Sequence, residues 1–279
     1  MLAPLDSPLY YLSNFRTALA WIEQRYADLL DADEQAFLAH FHALPEASQA
    51  LLVRLVMRKG PHFRAGKLAY AEIGDIAAAA APLLSLGWLI EHAELGLGAL
   101  FALLRKDELL TTFAETRALR GLKKSELLET LRESHPTART FAQWSAGLDL
   151  LYSLTVGPLC DRLRLLFFGN LAQDWSEFVL AELGVYRYES VPIGAESRGF
   201  RSRLDVDRYL HLQHCRELFE AGLPIAEVLL ELGDFTSDNP HLARRHAKLL
   251  FQLGQQLERE GELAEAAALY AISAHGEAR

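Results

Sequence analysis

Residues 51–90 read LLVRLVMRKGPHFRAGKLAYAEIGDIAAAAAPLLSLGWLI. Leu51 to Met57 has helical spacing, Gly60 and Pro61 form a turn, and Phe63 to Leu68 suits a short strand. An Ala-rich helix runs from Asp75 to Leu86 and is closed by Gly87, after which Trp88, Leu89 and Ile90 form a second short extended piece. Helix, strand, helix, strand is the order of a winged-helix unit, although four elements make a weak signal by themselves. The same stretch carries the most one-signed charge in the chain. Arg54, Arg58, Lys59, Arg64 and Lys67 lie in a window from Ala47 to Ala71 without a single Asp or Glu, in a protein of formal charge -9. On a helix, Arg54 and Arg58 stand at i and i+4 and repel by roughly 0.2 to 0.5 kcal/mol. An anion would relieve that repulsion. Fixed cations beside Gly60, Pro61, His62 and Phe63 suit a phosphate backbone, whereas the plainer reading is a solvated helix face followed by a turn. The residues alone leave both open.

Upstream, Leu12, Phe15, Leu19, Ile22 and Tyr26 trace a helical stripe, and Asp31 with Glu34 opens a second helix that buries Phe37, Phe41 and Leu44. Pro45 ends that helix or begins the next. Downstream, LLRKDELLTTF and GLKKSELLETL read as two short amphipathic helices. In the second, Leu127, Leu128 and Leu131 form the buried stripe, with Lys123 and Lys124 at the N-terminal end. Cations there oppose the helix dipole, which suits a phosphate held at that terminus. Two lysines reaching into solvent is the alternative.

Beyond the turn-rich SHPTAR (134–139), Phe141 to Leu183 is apolar and aromatic with helical spacing, and reads as core. Residues 184–203 are irregular and deliver Arg187, Arg198, Arg201 and Arg203, either a second anion contact or, the favoured reading, a loop with solvated arginines. Asp205 to Ala221 and Leu223 to Leu232 are further helices. At the C-terminal end, Leu253, Gly254, Leu257, Ala266 and Tyr270 occupy the apolar and small positions of a roughly 34-residue tetratricopeptide repeat, which must stack on neighbouring helices to bury both faces.

A chain of 279 residues that is 51% hydrophobic can fill two or three cores. Abundant Leu, Ala, Arg and Glu with few β-branched residues favour a mainly α fold. The expected division is a winged-helix-like domain at 1–100, a small helical module at 101–135, and a helical domain at 136–279 ending in the tetratricopeptide-like repeat. Two cysteines, Cys160 and Cys215, form neither a disulfide framework nor a zinc pattern. With no leader pattern, and an apolar stretch from Ile76 to Ile90 of only 15 residues, no membrane partner and a cytoplasmic location are expected. Charge is uneven: residues 1–50 hold two basic and seven acidic residues, residues 51–150 thirteen and eleven. A polyanion would therefore be bound locally by the latter region.

Catalytic patterns are missing from these residues. No phosphate loop, HExxH or GxSxG occurs, and Phe101 stands where Gly96-x-Gly98 would need its third glycine. His211, His214 and Cys215 approach metal-ligand spacing without a second cluster, so no metal site is expected. None of the six lysines has Asp or Glu two residues before it, so the Glu-x-Lys of a metal-dependent nuclease cannot be formed.

Taken together, LYYLSNFRTALAWIEQRYADLL (9–30), residues 37–76, LRGLKKSELLETL (119–131), LRLLFFGNLAQDWSEFVLAELGVYRYE (163–189) and the tetratricopeptide-like end resemble the N-terminal half of a bacterial Fanconi-associated nuclease. The resemblance implies a winged-helix-like region, a SAP-like DNA-binding module, a tetratricopeptide-type domain and, after residue 279, a VRR-NUC nuclease domain in the same polypeptide. It implies a parent enzyme that cuts branched DNA near 5′ flaps with Mg²⁺ or Mn²⁺, as a 5′-flap endonuclease and 5′–3′ exonuclease of interstrand-crosslink repair. These 279 residues would then be its DNA-binding scaffold, nucleoid-associated when bound, and no catalytic residue transfers. Lys123 and Lys124 match the SAP-like lysines; Arg54, Arg58, Lys59, Arg64 and Lys67 transfer less directly as contacts to branched or duplex DNA, and the arginines alternatively brace the winged-helix unit against the SAP-like one. The other reading in play is a helical protein-interaction adaptor whose functional part is the tetratricopeptide-like end.

Overall fold

The computed structural model describes residues 7–113, 118–145, 147–179 and 198–277. The chain divides into two units: Met1–Trp21, Ala32–Arg164 and Leu171–Arg187 in the first, Ile22–Asp31, Leu165–Asn170 and Tyr188–Arg279 in the second. In chain order the elements begin with α1 (Tyr10–Tyr26), α2 (Ala32–Ala43), α3 (Glu46–Val56), β1 (His62–Arg64), α4 (Ile76–Ser85), β2 (Leu89–Ile90), β3 (Glu94–Leu95) and α5 (Leu97–Leu103). They continue with α6 (Lys106–Thr112), α7 (Lys124–Arg132), β4 (Arg139–Thr140), α8 (Phe141–Ser145), β5 (Leu151–Leu154), α9 (Gly157–Phe168) and α10 (Trp175–Val179). The last four are α11 (Arg203–Glu220), α12 (Ile225–Leu232), α13 (Pro240–Glu260) and α14 (Leu263–Glu277). The fold is mainly α, as the composition indicates.

In the first unit, the stripe of Leu12, Phe15 and Leu19 is buried with Phe37 and Phe41 of α2. The Phe15 ring meets Phe41 edge-on at 5.6 Å and Trp175 at 4.9 Å. Glu34 is fully buried and accepts from Arg162 Nε at 2.7 Å, so the acid read as a helix-start signal serves in a buried ion pair. Asp75 caps α4 by accepting from the Ala78 N–H at 3.0 Å. The other end of α4 closes as a Schellman turn, Trp88 N–H to Leu83 O at 2.9 Å and Gly87 N–H to Leu84 O at 3.0 Å. Gly87 has φ 71°, a conformation that a side chain would strain.

The sheet differs from the simple helix-strand reading in its third member. Its order is β1-β5-β2, with β5 antiparallel to both neighbours and His62 opposite Ser153. The central strand thus comes from Leu151–Leu154, inside a stretch whose spacing reads as helical; its residues Leu151, Tyr152 and Ser153 are buried on both faces, which erases the alternation that marks a strand. The run Phe63–Leu68 is extended only through Arg64, after which Ala65–Lys67 forms a 3₁₀ turn. A second ribbon pairs β3 with β4, Glu94 opposite Thr140. It closes the module of α5 to α8, whose core joins Leu100, Phe101, Leu109, Phe113, Leu127, Leu131 and Trp144. Trp144 Nε1 donates to Leu95 O at 2.8 Å. These strand pairs join segments that lie far apart in sequence.

In the second unit, Leu212, Cys215, Val228, Leu249, Leu253, Leu257, Ala266 and Leu269 share one core. A Cβ on Gly254 would stand 2.8 Å from Tyr270 Cε1, so α13 and α14 approach through a glycine, as in a tetratricopeptide-like hairpin. Of the arginines read as a loop group, Arg198 pairs with Asp28 at 2.7 Å, and Arg203 with Asp31 at 3.1 Å and Asp207 at 3.0 Å. Arg187 lies outside the described residues. Cys215 Sγ is 3.9 Å from His211 Nε2, a contact between a buried thiol and an imidazole on one helix face.

Candidate nucleic-acid interface

The basic residues of 54–67 separate into two classes. Arg54 is turned inward: its Nε donates to Glu72 Oε1 at 3.0 Å, and its guanidinium lies over the Tyr11 ring at 4.0 Å. Burial disfavours the Arg54 charge, but the Glu72 carboxylate more than offsets it and the pKa is raised. Helix α3 ends at Val56, so Arg58 is past its last turn and does not share a helical face with Arg54. The expected helical i, i+4 relation is lost because the backbone leaves the helix. Arg64 is also committed. Its Nη1 donates to Glu108 Oε1 at 2.7 Å and its Nε to Asp149 Oδ2 at 3.2 Å, with the guanidinium only 8% exposed. Asp149 in turn accepts from the Gly66 N–H at 3.0 Å. Burial again works against the Arg64 charge and the two carboxylates outweigh it. Arg64 thus ties β1 to α6, the bracing role that the sequence reading kept open.

Arg58, Lys59 and Lys67 are exposed. Arg58 Nη1 reaches Tyr70 Oη at 3.3 Å, while among the described residues Lys59 and Lys67 make no ion pair. With His62, Phe63 and Arg64 on one side and Ala99, Ala102 and Leu103 of α5 on the other, they line an open groove of about 520 Å³. His62 is held by its Nδ1 contact to Ser153 Oγ at 2.8 Å, and burial lowers its pKa, so at neutral pH the charge of the groove comes from Arg and Lys.

Lys123 is the N-cap residue of α7, with Lys124 first in the helix. Glu126 Oε2 accepts from the Lys123 backbone N–H at 2.6 Å, which fixes the terminus without engaging either ammonium. Leu127 and Leu131 are buried beneath, so the pair of lysines is presented on a docked helix. Neither lysine lines the groove, and Arg54 does not either. The counter-ions Glu72, Glu108 and Asp149 lie 18, 44 and 85 residues from their arginines. Glu108 had a local signal as the third residue of a helix start, where it accepts from the Arg105 N–H at 2.8 Å. Asp149, 85 residues from Arg64, had none.

Two domain families match this arrangement: "FAN1, HTH domain" over residues 9–90 and "Fanconi anemia-associated nuclease SAP domain" over residues 94–144. The chain carries the HTH and SAP domains of the Fanconi-associated nucleases. It is 55% identical to a Fanconi-associated nuclease 1 homolog of Pseudomonas aeruginosa, over 99% of this chain and 49% of that protein. A homolog from Arabidopsis thaliana is 28% identical over 76% of this chain and 25% of its own length. The chain thus spans about half or less of the relatives that it matches. Crystal structures of paFAN1 bound to 5′-flap DNA superpose well: the complex with a 2-nucleotide flap has a TM-score of 0.91 at 55% identity, covering 97% of this chain and 50% of that one. The complex with a 1-nucleotide flap has a TM-score of 0.87 at 56% identity, covering 95% and 49%. Among the described residues, no group of three or more His, Cys, Asp or Glu is placed to hold a metal ion, and no helix is long and apolar enough to cross a membrane.

Proposed function

We propose that this chain is the DNA-holding portion of a structure-specific nuclease that acts on 5′ flaps. The observation that carries the proposal is its likeness, through nearly its whole length, to paFAN1 bound to flap DNA. The exposed cations Arg58, Lys59, Lys67, Lys123 and Lys124 supply phosphate contacts, and Arg54 and Arg64 hold the elements that carry them. Phosphate contacts set register without reading base sequence, and the deformability of a branched junction supplies selectivity. Cleavage in the parent protein would fall to a VRR-NUC domain with Mg²⁺ or Mn²⁺, and no metal step is assigned to this chain. The parent would act in the cytoplasm, at the nucleoid. The adaptor reading has no comparable support.

Fluorescence anisotropy of a labelled 5′-flap duplex at two salt concentrations tests this. Lys123→Glu combined with Lys124→Glu is expected to weaken binding at least several-fold and to flatten the salt dependence by about two units of log–log slope. Unchanged affinity and slope would remove the SAP-like lysines from the interface, and absence of salt-dependent binding by the unaltered chain would end the proposal.

A further inference from the structure

The second unit carries a cationic surface that neither the charge totals nor the domain matches single out. Between Asn239 and Leu257 no Asp or Glu occurs, although Asp234, Asp238, Glu258 and Glu260 flank the run. Within it His241, Arg244, Arg245 and Lys248 recur at i, i+3, i+4 and i+7, so α13 presents them as one stripe. His241, Arg244 and Lys248 are exposed, and Arg245 is half-buried. At a rise of about 1.5 Å per residue the stripe is about 10 Å long. One strand of duplex DNA advances about 3.4 Å along the axis per phosphate, so the stripe is long enough to reach more than one phosphate.

Arg245 fixes the stripe to α11. Its guanidinium lies 4.1 Å from the centroid of the Tyr209 ring, and its Nη2 donates to Gln213 Oε1 at 3.1 Å. Its Nε is buried without an acceptor, and among the described residues no carboxylate pairs with Arg244, Arg245 or Lys248. His241 stacks on the same Tyr209 ring, with centroids 6.0 Å apart and planes 11° from parallel. Burial lowers the Arg245 pKa, with Arg216 adding repulsion. A like-charged group on packed helices costs free energy that a bound anion would offset.

Resting on the reading of the chain as a DNA-binding one, we propose that the α11/α13 face is a second phosphodiester-binding surface for duplex DNA. Arg244 and Lys248 pair with phosphates, and Arg245 is a donor positioned by Tyr209 and Gln213. The test is anisotropy of a labelled duplex across a salt series, with the unaltered chain, Arg244→Ala/Lys248→Ala, Lys123→Glu/Lys124→Glu, and Arg259→Ala as a control for net charge. The two replaced side chains are exposed and unpaired among the described residues, so the thermal melt of that variant should match the parent. Its affinity should fall about ten-fold near 0.1 M salt and its slope by about two units, while Arg259→Ala changes neither much. If the parent binds and the Lys123/Lys124 variant weakens while Arg244→Ala/Lys248→Ala binds like the parent, the second surface is refuted and the proposed function stands. An equal loss in Arg259→Ala refutes it as a net-charge effect. No binding by the parent refutes both.

Discussion

Arg64 separates bracing from DNA contact, and Arg64→Met puts the two to the test because it keeps the length of the stem and removes the guanidinium. Breaking a fully buried ion pair by deleting one partner costs about 3–5 kcal/mol, whereas an exposed pair is worth about 0–1 kcal/mol. Here Arg64 is 8% exposed, Glu108 11% and Asp149 14%, close to the buried limit. Both carboxylates retain backbone donors, Arg105 N–H on Glu108 and the Gly66 and Leu150 N–H groups on Asp149, which reduces the cost of losing the cation. The expected loss is about 2–3 kcal/mol, below the fully buried range. All four tryptophans, Trp21, Trp88, Trp144 and Trp175, belong to the first unit, so their fluorescence during urea unfolding reports the affected part. DNA affinity, measured where the variant is fully folded, should keep the salt slope of the parent. A variant of unchanged stability whose slope falls by about one unit would show that Arg64 contacts a phosphate, and the bracing role would be wrong.

Two further outcomes follow from local geometry. Gly254→Ala gains about 1 kcal/mol of helix propensity but places a methyl 2.8 Å from Tyr270 Cε1, an overpacking cost of about 1–3 kcal/mol, so the single change should be neutral to destabilising. In a Tyr270→Ala background it should stabilise by about 1 kcal/mol, and equal effects in both backgrounds in a thermal double-mutant cycle would refute the close approach. The Glu108 pKa is lowered, first by the Arg105 N–H and then by Arg64, so in acid the native state binds fewer protons than the unfolded one and stability rises with pH. Glu108→Gln should therefore be less stable than the parent at pH 7, with the gap closing as pH falls below about 4.3 and through the folded value; a gap that persists unchanged to pH 3 would contradict the pairing.

Much of the first unit was legible because its signals are local. The helix stripes, the Asp75 cap, the Gly87 stop and the docked helix behind Lys123 and Lys124 each depend on residues within a turn or two. The tetratricopeptide-like hairpin was legible for the same reason, since small and large residues recur at fixed spacing. Strand β5 was not, because burial on both faces removes period-two alternation and its partners lie some 60 to 90 residues away in sequence.

The basic window of 54–67 shows the same division in the candidate site. Sequence alone determined that five cations would stand together without a local acid, because composition within a window is independent of folding. Only the tertiary structure decided which of them remain available. Glu72 neutralises Arg54, and Glu108 with Asp149 neutralises Arg64, while Arg58, Lys59 and Lys67 are left facing the groove. The physical reason is that an ion pair depends on distance in space, and chain folding brought carboxylates from 18, 44 and 85 residues away to within hydrogen-bonding reach.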